Sequence, residues 1–152
     1  METRKLGSSD LNVTPVGIGT WATAIEVEKA EINGATLDLS SLQATSGNFK
    51  MQGGLYVQTD SGAQPAISFA KKQFDSDKVT YTVRAKKTDG REGFLIIFGA
   101  ADNKNYYWWN VGGWENTQHG IEQITNGGTS ILTQKRGTIQ NNTWYTMKVE
   151  LS

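Results

Sequence analysis

The sequence has no cysteine, two prolines, one histidine and no net charge, its 15 Lys and Arg balancing 15 Asp and Glu. Without cysteine there are no disulfides, thiolate nucleophiles or cysteine-ligated zinc sites. Acids and bases are interspersed, so no basic stripe marks a nucleic-acid or anionic-membrane partner, and a neutral partner fits better. No run reaches the roughly 18 apolar residues that a membrane-crossing helix needs. Met1-Glu2-Thr3-Arg4-Lys5 leads into mixed polar sequence rather than the apolar core of a secretory signal, which leaves localisation unassigned.

Glycine and aromatic residues are abundant, and 152 residues suffice for one domain with a sizeable core. Short runs of Thr, Val, Ile and aromatics alternate with Asn, Asp and Gly clusters, the pattern of many strands joined by turns. The clearest strand is 79–86, where Val79, Tyr81, Val83 and Ala85 alternate with polar residues and are expected to face the core. Residues 93–98 are apolar on both faces and read as a central strand. After the turn Asp102-Asn103-Lys104-Asn105, residues 106–111 pair back. Further strands are predicted at 120–125, 130–135 and 144–151, the last with Tyr145, Met147, Val149 and Leu151 inward. Shorter candidates are 55–58, 66–69, 25–32 and 49–51. No window holds helical period for three turns, so the expected fold is all-β, an antiparallel two-sheet sandwich.

Within 106–114 the chain reads Tyr-Tyr-Trp-Trp-Asn-Val-Gly-Gly-Trp, holding three of the five tryptophans. Flat rings beside amides suit a sugar surface, because sugar rings offer C–H faces to aromatics and hydroxyls to amides. Strand alternation, with Val111 marking the inward set, sends Tyr107 and Trp109 to the core and Tyr106, Trp108 and Asn110 to the opposite, concave or solvent face. Trp114, beyond the Gly112-Gly113 bend, is expected to return over that side, with Asn116, Gln118 and His119 adding hydrogen bonds. The alternative reading packs all these rings into a scaffold that binds nothing, and Trp21 and Trp144 are assigned to packing.

Two segments resemble known families. Arg4-Lys5-Leu6-Gly7-Ser8-Ser9-Asp10-Leu11-Asn12-Val13 and Val16-Gly17-Ile18-Gly19-Thr20-Trp21-Ala22 resemble the opening of an aldo/keto reductase, without that family's catalytic residues or βα repeats. From about Ala24 onward, Glu92-Gly93-Phe94-Leu95-Ile96-Ile97-Phe98, the aromatic stretch and Asn116-Thr117-Gln118-His119-Gly120-Ile121-Glu122 are similar to the concanavalin A-like jelly-roll domain attached to bacterial family-51 α-L-arabinofuranosidases, a family typically secreted or periplasmic. The implied organisation is a reductase-like segment, 1–23, packed on or tethered to a jelly-roll domain, 24–152, that is short of its final strands. The strand-like runs 11–13 and 16–18 are expected to pack against the sheets. That is the pattern of a chimera, and an incomplete sandwich invites oligomers by edge pairing or segment swapping.

The resemblance implies a non-catalytic module binding a neutral, arabinose-containing polysaccharide. Glycoside hydrolysis needs two carboxylates about 5 to 10 Å apart across a cleft. Glu92, Glu115 and Glu122 are the candidates, but a charged strand residue usually faces water, so no catalytic residue is assigned. Jelly-roll modules often hold a structural calcium ion. Asp60, Asp75, Asp77, Asp89 and Asp102 match no calcium-loop spacing and read as turn formers, so no cofactor or metal is expected. Gly17-Ile18-Gly19-Thr20 lacks the lysine and helix of a phosphate loop and reads as a strand with glycines.

Overall fold

The computed structural model describes residues 16–60, 62, 65–70 and 78–151. The run 11–13 and the aspartates Asp75 and Asp77 lie outside them. Strands β1 to β13 are Gly17–Thr20, Ala24–Ile32, Ala35–Thr36, Gln43–Ser46, Phe49–Gln52, Leu55–Gln58, Ala66–Phe69, Val79–Asp89, Phe94–Asp102, Asn105–Gly112, Gln118–Thr125, Gly128–Arg136 and Trp144–Leu151. They form two antiparallel sheets packed as a jelly-roll-type sandwich. The larger runs β12-β11-β10-β9-β1-β7-β4, and the smaller runs β13-β8-β2-β6-β5 with β3 paired to β2.

Side-chain alternation builds the core between the sheets. Val79, Tyr81, Val83 and Ala85 of β8 meet Ile18, Phe94, Ile96, Phe98 and Val111 of the larger sheet, with Tyr107 and Trp109 packed against them. Met147 and Leu151 of β13 are buried in the same core, and Tyr145 and Val149 pack on it. Among the described residues, two hydrogen bonds join strands of the two layers. The Tyr81 hydroxyl donates to Gly17 O at 2.9 Å, and the hydroxyls of Tyr56 and Ser68 meet at 2.6 Å. Burial pushes the Tyr81 phenol upward, so it stays a neutral donor.

The predicted run 16–18 overlaps β1, Gly17–Thr20, which lies inside the larger sheet. It pairs with β7 on one edge, Gly19 opposite Ile67, and with β9 on the other, Gly19 opposite Leu95. Neighbouring backbone approaches so closely that only glycine fits. A Cβ on Gly17 would lie 2.3 Å from Ser68 O, and one on Gly19 2.6 Å from Ala66 O.

The two outward faces differ in chemistry. On the smaller sheet, Arg84 pairs with Glu28 at 2.6 Å and Lys86 with Glu26 at 3.4 Å. Arg84 and Lys86 also lie over the Trp144 ring, 5.4 and 4.9 Å from its centre. On the larger sheet, Leu95, Ile97, Ala100, Tyr106, Trp108 and Ile124 form a second apolar cluster, with Trp21, Ile67 and Phe69 against it. Along β12, every residue is exposed, Ile131 and Leu132 included.

Candidate functional site

Beside the second apolar cluster, and sharing Trp108 and Trp21 with it, lies a cavity of about 290 Å³ on the outward face of the larger sheet. Three indoles line it, those of Trp21, Trp108 and Trp114. Trp21 follows β1 and meets Trp108 edge-on, ring centres 6.5 Å apart. Trp108 in turn contacts Tyr106 at 5.6 Å, and Tyr106 contacts Phe69 at 5.4 Å, which extends the aromatic row along the face.

Alternation along β10 places Tyr106, Trp108 and Asn110 on the outward face and Tyr107 and Trp109 on the core side, as the pattern predicts. The expectation that the outward set meets solvent is corrected. Trp108 is 4% exposed and Asn110 5%, and Tyr106 is also buried. The reason is the strand order, which brings Trp21, Ile67 and Phe69 onto the same face and covers most of these side chains.

Glu122 of β11 lies opposite Trp108 and lines the cavity as well. It is 6% exposed, against the expectation that a charged strand residue faces water. Two donors stabilise its buried carboxylate: Trp108 Nε1 donates to Oε1 at 2.6 Å and Asn110 Nδ2 donates to the same oxygen at 3.2 Å. No hydrogen bond among the described residues involves Oε2. Asn110 Oδ1 is buried with no donor, an arrangement that costs about 1–3 kcal/mol. The amide cannot be turned round to relieve this, because its N–H must face the carboxylate. Glu92 and Thr129 complete the lining.

Trp114 reaches the cavity through an unusual turn. Gly112 has φ +75°, and Trp114, Glu115 and Asn116 follow at +50°, +61° and +64°. A left-handed backbone costs non-glycine residues about 1–2 kcal/mol each, so the turn exists because its surroundings hold it. Asn116 is clamped on both sides, Nδ2 donating to Ile139 O and Oδ1 accepting from Ile139 N, each at 2.8 Å. Glu115 N donates to Glu92 Oε2 at 3.0 Å, and His119 Nδ1 accepts from Gly112 N at 2.9 Å. The result lays the Trp114 ring across Gly120, where a Cβ would sit 2.9 Å from Cη2. Gly113 backs onto Asn110 in the same way, a Cβ there falling 2.5 Å from Oδ1.

Of the sequence-predicted set, Trp108, Asn110 and Trp114 therefore meet at the cavity, and Tyr106 lies further along the same face. Asn116, Gln118 and His119 are not among its lining residues. Asn116 and His119 instead support the turn that presents Trp114, and burial holds the His119 imidazole below its usual pKa, which suits an acceptor nitrogen. Sequence reasoning missed Trp21 and Glu122 as cavity residues. Strand parity places Glu122 beside Trp108 only once the β10–β11 register is known. The candidate calcium ligands Asp60, Asp89 and Asp102 accept backbone N–H bonds from Gly62, Gly90 and Lys104, as turn formers do.

No family model matches the chain, and no solved structure matches it. Among curated proteins it is similar to an extracellular exo-α-L-arabinofuranosidase of Streptomyces chartreusis, 39% identical over 147 residues. The match covers 90% of this chain and 18% of that enzyme, so the chain is homologous to a limited part of a much longer protein.

Proposed function

We propose that this chain is a non-catalytic accessory domain of a glycoside hydrolase, and that it holds a neutral, arabinose-containing polysaccharide in the cavity of the larger sheet. One observation carries this reading: Trp21, Trp108 and Trp114 converge with Asn110 and Glu122 on one outward-facing depression, while the chain aligns with a small part of an arabinofuranosidase. Indole faces stack on sugar C–H faces, and the carboxylate and amide offer hydrogen bonds to hydroxyls. Stacking contributes on the order of 1 kcal/mol per ring beyond area burial, so an affinity in the micromolar to millimolar range is expected.

The turn supports the same reading. Three consecutive left-handed residues are a costly way to place one ring, and strain of this kind concentrates at functional sites. The scaffold reading draws on the burial of Tyr106 and Trp108, which contribute packing whatever else they do. The N-terminal segment is read as reductase-like by its resemblance; its described strand, β1, pairs along both its edges within the larger sheet.

Affinity electrophoresis on arabinan and arabinoxylan tests the proposal. Retardation of the parent protein on at least one of them, lost in Trp114→Ala with the melting temperature retained, is the expected result. Equal mobility of parent and variant on every glycan would count against it.

A further inference from the structure

The cavity's polar groups are unequal in kind. Glu122 is buried, with Oε1 occupied by Trp108 Nε1 and Asn110 Nδ2 and with Oε2 uncommitted. Asn110, also more than nine-tenths buried, has Oδ1 without a donor. Glu92 adds a second carboxylate, and among the described residues no Lys, Arg or His lines the cavity. The nearby cations point at other partners, though Lys87 also feels the charge of Glu92. Arg91 pairs with Glu115 at 2.7 Å in the adjoining depression, and Lys87 Nζ donates to Arg91 O at 2.6 Å. Beside the Trp21 and Trp114 indole N–H groups and the Thr129 hydroxyl, the buried atoms left open, Glu122 Oε2 and Asn110 Oδ1, are acceptors and demand hydrogens from a ligand. The lining also repels another carboxylate, because like charges brought together at a poorly solvated site cost several kcal/mol.

We infer that the cavity selects sugar residues bearing free vicinal hydroxyls and rejects uronic acids, with Glu122 as the specificity-determining residue. One hydroxyl donates to Glu122 Oε2. Its neighbour meets Asn110 Oδ1 after a small yielding of the Trp114 turn that seals that atom. A site built around unpaired acceptors discriminates sharply against analogues lacking the matching donor. This inference rests on the carbohydrate-binding reading above and sharpens it from sugars in general to neutral, hydroxyl-bearing ones.

The test follows the Trp114 indole N–H signal by NMR during titration of the full chain with three small probes. They are methyl α-L-arabinofuranoside, its 2-deoxy analogue, and the same glycoside oxidised at C5 to the carboxylate. The parent glycoside is expected to bind about ten-fold or more tightly than either of the others. In Glu122→Gln the charge is gone and an amide N–H is supplied, so the penalty on the carboxylate probe should shrink by several-fold. The wild-type series decides alone if that variant does not fold. Equal binding of all three probes overturns the selectivity and leaves carbohydrate binding standing. No response of Trp114 to any of them, or to arabinan fragments, removes both.

Discussion

The outward faces of the two sheets are made by the same strand alternation and end in opposite states. On the smaller sheet, Glu26, Glu28, Arg84 and Lys86 neutralise one another across strands and Trp144 lies beneath the cations, so each of these four charges has its partner. On the larger sheet, aromatic and aliphatic residues cover the face, a carboxylate is buried among them, and one amide oxygen has no partner. A face serving only solubility needs no buried acid, no orphan acceptor and no left-handed turn. That contrast is the structural ground for proposing the binding site on the larger sheet.

The strongest way to break the comparison removes the strand that underlies the cavity side. Deleting residues 1–22 takes away β1, bonded on both edges, together with Trp21. Cooperative thermal unfolding should disappear, and an unchanged calorimetric transition would show that the larger sheet does not depend on β1. Single substitutions come next. Trp108→Ala should destabilise by about 3–5 kcal/mol in denaturant melts, as for other buried large-to-small changes. Glu28→Ala on the opposite face should cost no more than about 1 kcal/mol, since its ion pair is solvent-exposed. Similar losses from the two would erase the distinction between the faces.

Much of this arrangement is legible in the sequence. Strands Leu55–Gln58, Ala66–Phe69 and Trp144–Leu151 coincide with their predicted runs, and β8 and β9 extend theirs, because alternation and continuous apolarity are imposed by burial. Strand Gln43–Ser46 was not foreseen. It is a polar edge strand with little buried surface, so it leaves no periodic trace. The parity of β10 assigned Trp108, Asn110 and the return of Trp114 to one face. Parity cannot say whether that face is covered, which depends on β1 pairing with β9 and carrying β7 on its other edge. For the same reason Trp21 read as packing and Glu122 as a solvated charge, although the fold brings both beside Trp108.

The central proposal is that sugar is held at the three-indole cavity. The most direct measurement records the indole N–H signals of all five tryptophans while arabino-oligosaccharide is added. Trp21, Trp108 and Trp114 should shift together in a saturable way, while Trp109 in the core and Trp144 on the charged face stay in place. Saturable movement of Trp144 alone, or no movement of the three, would contradict the account.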